Sequence, residues 1–272
     1  MRAGLVQLTS GSDPEANLAV TRGFLREAAA GGAELVLTPE MTNIVTADRA
    51  HQASVLHAED EDPTLAALRA EAKALGIWLL IGSLGVKTGD PDGRFANRSF
   101  LIAPDGHIAA RYDKIHMFDV TVSETEKYRE SAVFRPGNRA VLAETPLGRI
   151  GLTICYDLRF PALFRRLAQA GAQIIAVPAA FTQPTGKAHW ESLLRARAIE
   201  NGAFVLAPAQ TGVHGPGRAS HGHSLAVSPW GEVLADGGTE PGVTLVDFDL
   251  AAVNDARGRI PALEHDRDIE GP

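Results

Sequence analysis

Arg149-Ile-Gly-Leu-Thr-Ile-Cys-Tyr-Asp-Leu-Arg-Phe-Pro161 opens on an apolar, β-branched run, Ile150 to Ile154, and closes on a turn that leads into a helix at Pro161. A short apolar run of this kind reads as a buried parallel strand. An earlier stretch has the same grammar. Arg2-Ala-Gly-Leu-Val-Gln-Leu8, a helix-period segment, then Gly32-Ala-Glu-Leu-Val-Leu-Thr-Pro39 is matched by Arg149 to Cys155, a second helix, then Gly171-Ala-Gln-Ile-Ile-Ala-Val-Pro178. Both read strand, helix, Gly-Ala, strand, Pro, the pattern of βαβ units in which a glycine ends the helix and the next strand starts at once. The chain is therefore expected to fold as two similar halves related by an approximate two-fold. Glu40 follows the proline of one half and Cys155 ends the first strand of the other. Both then lie on the same rim of the sheets, where open α/β proteins carry their chemistry.

Outward from these repeats, apolar strands alternate with helix-period segments, which predicts an α/β protein. Further strands are expected at Trp78 to Ser83, Ser99 to Ala103, Phe204 to Ala207, Ser224 to Val227 and Thr244 to Phe248. Helices are expected from Asp13 or Pro14 to Ala30, Thr64 to Leu75, Pro161 to Ala170 and His189 to Asn201. Asp13-Pro14 and Asp62-Pro63 have the form of helix openings, with Asp accepting from free amides and Pro in the first turn. No low-complexity linker divides residues 1–272, so one domain is expected.

The 272 residues are 45% hydrophobic and 22% charged, with a net charge of -7. That composition can bury a large core and disfavours binding to nucleic acid or an anionic membrane, which calls for a basic stripe. No apolar run approaches the roughly eighteen residues of a membrane span. The N-terminus lacks the apolar core and cleavage site of a secretory signal. A single cysteine forms no internal disulfide, in keeping with a reducing cytoplasm.

Cys155 reads in two ways, as one more buried apolar side chain or as a nucleophile at a strand end. Glu40, directly after a buried strand, reads either as a capping carboxylate or as a proton acceptor whose pKa is raised by partial burial. Lys114 stands in Arg111-Tyr-Asp-Lys-Ile-His-Met-Phe-Asp119, after a hairpin-like segment from Asn97 to Ala110. From Met117 to Asn138 little periodicity is evident, and structureless segments of that length in compact domains tend to be functional. His214, His221 and His223 offer a metal-site alternative, but they lie in a glycine-rich loop with no carboxylate at a fixed spacing. No Gly-x-Ser-x-Gly elbow occurs, which leaves a Ser-His hydrolase unsupported.

Glu40 after Thr-Pro, Lys114 in Tyr-Asp-Lys-Ile-His and Cys155 in Ile-Cys-Tyr-Asp-Leu-Arg-Phe-Pro resemble the Glu-Lys-Cys triad motifs of the nitrilase, or carbon-nitrogen hydrolase, superfamily. The resemblance extends over essentially the whole chain, through Pro178-Ala-Ala-Phe-Thr182, Thr185-Gly-Lys-Ala-His-Trp-Glu191 and Gly222-His-Ser-Leu-Ala-Val-Ser-Pro-Trp-Gly231. It implies a four-layer αββα sandwich with two similar halves, paired into a homodimer or larger homo-oligomer through outer helices. Lys-Ile-His-Met-Phe-Asp119, Tyr-Arg-Glu-Ser131 and the ending Arg-Ile-Pro-Ala-Leu-Glu-His-Asp-Arg267 are similar to the branch that contains deaminated glutathione amidase and ω-amidase. Arg-Ala-Ser-His-Gly-His-Ser224 and Arg-Ala-Arg-Ala-Ile-Glu200 resemble the former more closely. Lys187 departs from the proline of eukaryotic relatives, at a position expected near the pocket rim.

The resemblance implies a thiol-dependent amidase with no cofactor and no metal. Glu40 would accept the Cys155 proton, Lys114 and the amide after Cys155 would hold the oxyanion, and a thioester would form with release of ammonia. Glu130, in Arg-Glu-Ser, matches the second glutamate of the family, which positions the lysine. The substrate expected is a small α-keto acid amide, deaminated glutathione ahead of the ω-amides 2-oxoglutaramate and 2-oxosuccinamate, and its carboxylate needs a local cation. Arg159 is the candidate for that role, with an internal ion pair to Asp157 or a neighbouring Glu as its alternative. Tyr156, Phe181 and Thr185 are the further substrate-binding candidates. The helix from His189 is read as structural, with Arg195, Arg197 and Glu200 as ion-pairing residues. A non-enzymatic binding member of the same fold is the remaining alternative.

Overall fold

The fold is described from a computed structural model, which covers residues 1–271 apart from 123, 125, 126 and 216. The first half runs β1 (Arg2–Gln7), α1 (Pro14–Ala30), β2 (Leu35–Leu37), α2 (Arg49–Val55), α3 (Pro63–Leu75), β3 (Trp78–Lys87), β4 (Phe95–Ile102) and β5 (Ile108–Asp113). A small hairpin, β6 (Asp119–Thr121) with β7 (Lys127–Arg129), leads into the second half. That half runs β8 (Val141–Thr145), β9 (Gly148–Leu152), α4 (Pro161–Gln169), β10 (Ile174–Ala176), α5 (Gln183–Asn201) and β11 (Phe204–Ala207). A second hairpin, β12 (Thr211–Gly215) with β13 (Arg218–His221), precedes β14 (Leu225–Val227) and β15 (Val233–Asp236). The chain closes with β16 (Gly242–Asp247) and α6 (Ala251–Arg259).

Two six-stranded sheets result, ordered β16-β1-β2-β3-β4-β5 and β8-β9-β10-β11-β14-β15. In each, three central parallel strands are flanked by one antiparallel strand on one side and two on the other. The internal repeat of the sequence is thus a repeat of sheet topology. Its Gly-Ala junctions play the same part in both halves: Gly32 (φ 82°) and Gly171 (φ 99°) both adopt the left-handed conformation that turns a helix into the next strand.

Side-chain alternation builds the layers. Leu5, Leu35, Leu37, Leu80 and Leu101 of the first sheet share one buried cluster with Ile150, Leu152 and Ile174 of the second. Val6, Val36, Leu79 and Ile81, one residue out of step, pack instead with Leu25 of α1 and Leu65 and Leu68 of α3. Helices α1 and α3 cover the first sheet on its outer face and α4 and α5 cover the second, giving an αββα sandwich. Gly82 is a point of close approach between the halves. A Cβ there would lie 2.0 Å from the Thr38 carbonyl oxygen and 2.5 Å from Pro178, so β3 passes between the two repeated prolines only because it carries no side chain at that point.

Helix openings follow the expectation. Asp13 accepts from the amides of Glu15 at 2.9 Å and Ala16 at 3.3 Å, and Asp62 from Leu65 at 2.7 Å. The helix expected from His189 begins six residues earlier, at Gln183, because Pro184 suits its first turn and Thr182 precedes it in extended conformation. The hairpin-like segment from Asn97 to Ala110 is the antiparallel pair of β4 and β5, while the strands missed by the apolar pattern, notably β8 and β15, lie at sheet edges where one face is open and apolar alternation is weak. The aperiodic stretch after Met117 contains the β6–β7 hairpin and a single helical turn at Glu130–Ala132.

Candidate active site

Strand β9 ends at Leu152, and Thr153 and Cys155 continue its register by donating backbone hydrogen bonds to Ala176 at 3.2 Å and Pro178 at 2.9 Å. The chain then turns sharply into a short 3-10 helix, Cys155–Arg159, with Cys155 at φ 50°. A non-glycine residue in that region costs about 1–3 kcal/mol and is held there only by its surroundings. Here the turn presents the thiol at the carboxyl end of the strand, in the lining of a cavity of about 250 Å³. Glu40 reaches the same cavity from the other half, just beyond β2 and before Met41, which is also left-handed at φ 56°. The Met41 amide donates to Ser83 Oγ at 2.8 Å, which fixes that turn.

Lys114 follows β5 and is 2% exposed. Its Nζ donates to Glu40 Oε1 at 2.8 Å and to both Glu130 oxygens, at 3.0 and 2.9 Å. Asn97 Nδ2 bridges the same two carboxylates, at 2.9 Å to Glu40 and 3.2 Å to Glu130. Glu40 Oε2 takes a further hydrogen bond from the Ala180 amide at 3.0 Å, and Glu130 Oε2 one from the Phe118 amide at 2.6 Å. The Glu40 carboxylate also meets the Cys155 thiol. The sequence carries no signal for Asn97, which stands beside Arg98 and Ser99 in a strand of mixed polarity. Its Oδ1 is buried and accepts nothing from the described chain.

Charge and burial divide the labour among these groups. Burial alone would raise the Glu40 pKa, but the Lys114 charge and hydrogen bonds from Cys155, Lys114 and Asn97 outweigh it and hold the carboxyl below its usual range. This corrects the expectation of a raised pKa, which counted desolvation without the lysine. Burial also opposes charge on Lys114, yet Glu130 and Glu40 keep its ammonium protonated. Burial pushes the Cys155 thiol well up, and the Glu40 charge adds to this while Lys114 only partly offsets it. The resting site therefore holds a neutral thiol beside an ionised carboxylate.

A second buried carboxylate holds the site's walls together. Asp157, fully buried on the turn after the nucleophile, accepts from Tyr112 Oη at 2.6 Å and the Ile154 amide at 2.9 Å. Its other oxygen accepts from the His116 amide at 3.0 Å and lies 2.7 Å from His116 Nδ1. The His116 ring stacks on Phe160 at 3.5 Å. One side chain thus ties β5 and the Lys114 segment to the Cys155 turn.

Of the expected substrate-binding residues, Tyr156, Phe181 and Thr185 line the cavity. Arg159 does not. Its guanidinium stands 5.6 Å from the Phe181 ring centroid and 6.0 Å from that of Tyr156, and contacts His189 Nδ1 at 3.3 Å rather than pairing with Asp157. The cations that do line the cavity besides Lys114 are Lys127 and Arg129 of β7 and Arg218 of β13. Lys187 is exposed on α5, two residues beyond Thr185 of the lining and not itself part of it. Helix α5 is partly structural as expected, with Trp190 and Leu194 buried, Arg197 paired with Glu200 at 2.9 Å and Arg195 with Glu191 at 3.3 Å. Its first turn nonetheless contributes Thr185 to the cavity. His214 bonds Ser10 and Ser220, and His223 bonds Asp236. Among the described residues no group of three or more His, Cys, Asp or Glu side chains is arranged to hold a metal ion.

Residues 2–258 match the family described as Carbon-nitrogen hydrolase. The chain belongs to the carbon-nitrogen hydrolase family. It is 40% identical to the deaminated glutathione amidase of Yersinia enterocolitica over 97% of its own length and 92% of that protein. Among solved structures, the Caenorhabditis elegans NitFhit protein superposes with a TM-score of 0.92 at 36% identity, covering 98% of this chain and 65% of that longer one. A mutant of the amidase from Nesterenkonia sp. AN1, with acrylamide added at its active-site cysteine, superposes with a TM-score of 0.79 at 28% identity, covering 96% and 98% of the two chains. The carbon-nitrogen hydrolase fold of this chain is therefore the nitrilase-like αββα sandwich.

Proposed function

We propose that this carbon-nitrogen hydrolase cleaves the amide of deaminated glutathione through a thioester on Cys155. The observation that carries the reading is the meeting of Glu40, Lys114, Glu130 and Cys155 in the lining of one cavity, with Glu40 in contact with both the thiol and the lysine. The relative from Yersinia enterocolitica supports the choice of substrate. Because the thiol is neutral at rest, its proton passes to Glu40 as sulfur attacks the amide carbon. Negative charge developing on oxygen falls to Lys114 Nζ and the Tyr156 amide, which lies in a first helical turn where N–H groups lack intrahelical acceptors. A preorganised donor of this kind is worth about 3 kcal/mol in a water-poor site. Collapse forms the thioester as Glu40 returns the proton to the leaving amine. Water deprotonated by Glu40 then releases the acid and restores the thiol. Glu130 holds Lys114 at the geometry this requires.

Deaminated glutathione is a secondary amide, so its leaving group is the amine of cysteinylglycine. Ammonia, expected above for the reaction in general, is the product only of primary ω-amides. Tyr156, Phe181 and Thr185 line the path of the substrate, and Arg159, packed beside the first two, is the cation on the nucleophile's own turn for its keto-acid carboxylate. We place the reaction in the cytoplasm, where a reducing milieu keeps the thiol available, and in a homodimer. Exposed Ile199, Trp230 and Ile260, which border a second hollow beside α5 and α6, support pairing there. The test is release of 2-oxoglutarate from deaminated glutathione and from 2-oxoglutaramate, with and without chelator, by the unaltered protein and by Cys155→Ala. Faster turnover of the tripeptide analogue, lost in Cys155→Ala while its circular dichroism is unchanged, is expected. Turnover that survives the substitution refutes the thiol mechanism.

A further inference from the structure

The catalytic cluster carries a net negative charge, since one lysine faces two glutamates. An anionic substrate entering an acidic protein needs that charge reversed. Lys127, Arg129 and Arg218 reverse it, leaving the described lining of the cavity, with four cations against Glu40 and Glu130, at a net charge of +2 in a chain of net -7. A concentration of one sign in a cleft raises the local concentration of the opposite ion. Two of these cations come from the β6–β7 hairpin and the third from the β12–β13 hairpin. Arg218 is half-buried, and among the described residues no carboxylate forms an ion pair with it. Thr182 of the cavity wall bridges to Ser220, two residues along the same strand, which fixes the Arg218 strand against that wall. An arginine with no carboxylate partner among the described residues, held at a binding cavity, is suited to a substrate carboxylate, which it can grip with two parallel hydrogen bonds.

We propose that Arg218, assisted by Lys127 and Arg129, binds a second carboxylate of the substrate, the one carried by its leaving amine. The inference rests on the functional reading above and narrows it to dianionic amides with a carboxylate on each side of the scissile bond. Deaminated glutathione has this form, with the keto-acid carboxylate on the acyl side and the glycine carboxylate on the amine side. A primary ω-amide lacks the second carboxylate and makes no direct contact with Arg218, sharing only in the screened field of the cleft. The +2 lining matches the dianion and exceeds what a monoanion needs. Arg159, on the nucleophile's own turn and outside the cavity lining, is left for the acyl side.

The experiment measures kcat and KM of the unaltered protein, Arg218→Ala and Arg218→Lys on three substrates: deaminated glutathione, its glycine amide, and 2-oxoglutaramate. Loss of an interaction made equally in ground and transition states raises KM and leaves kcat alone. Arg218→Ala is therefore expected to raise KM for deaminated glutathione at least tenfold with kcat within twofold, and Arg218→Lys to raise it less. For the glycine amide and 2-oxoglutaramate, KM is expected to stay within twofold of the unaltered protein. An equal rise on all three substrates, or none on deaminated glutathione, overturns the proposal. If the unaltered protein turns over none of the three, the functional reading falls and this inference with it, a result visible before any variant is compared.

Discussion

Replacing Asp157 by Asn changes one atom of a fully buried side chain and breaks the link between the nucleophile turn and the lysine segment. Asp157 receives two backbone amides, one on each oxygen, together with Tyr112 Oη and His116 Nδ1. The Tyr112 hydroxyl can rotate to accept, and His116 Nδ1 can accept in its other tautomer. The amides of Ile154 and His116 can only donate. Whichever side the new NH2 group occupies, one backbone amide faces it without an acceptor. Loss of that bond and of the charge on the others costs about 3 kcal/mol. For a chain of this size that corresponds to a Tm lower by roughly 6–12 °C. The same change loosens Cys155 relative to Lys114, and a displacement near 1 Å in such a site lowers kcat by about two orders of magnitude. Thermal unfolding followed by circular dichroism, with steady-state kinetics on deaminated glutathione, reads both effects. A Tm within one degree of the unaltered protein together with kcat within twofold would refute the assignment of Asp157 as the clamp of the site.

Glu40 must be ionised to accept the thiol proton, and its pKa is held below the usual carboxylate range, so kcat/KM should stay level as pH falls from 7 to about 5 and drop only below the ordinary value near 4.3. An acid limb centred between pH 6 and 7 would show that burial, not Lys114, governs this group. On the alkaline side no rise in kcat/KM between pH 7 and 8.5 is expected, because the proton moves with attack instead of dissociating first; a tenfold climb per unit would mean a preformed thiolate. Gly82→Ala should lower stability by on the order of 3 kcal/mol, since the added methyl meets backbone and proline from both halves and neither can retreat. Chemical denaturation giving a midpoint equal to that of the unaltered protein would show the halves to be less tightly joined.

How much was legible in the sequence differs between the fold and the site, and for physical reasons. The repeated strand-helix-Gly-Ala-strand-Pro pattern and the Asp-Pro helix openings are local: each depends on residues within one or two elements, and the sequence by itself determined an α/β fold of two similar halves from them, the αββα layering being what the family motifs implied. Motif residues Glu40, Lys114, Glu130 and Cys155 were also legible, because their local contexts are distinctive. What only the tertiary structure decided is how these groups act on one another. Glu40 and Lys114 are 74 residues apart, Asp157 and His116 41, and Ala180 and Glu40 140. The direction of the Glu40 pKa depends on whether burial or the lysine prevails, and a side chain's neighbours across the two sheets are not written in its own segment. The same holds for the cations of the cavity. Arg159 adjoins the nucleophile in sequence yet rests behind two aromatic rings, while Arg218, far along the chain, reaches the lining because a hairpin inserted between β11 and β14 carries it there.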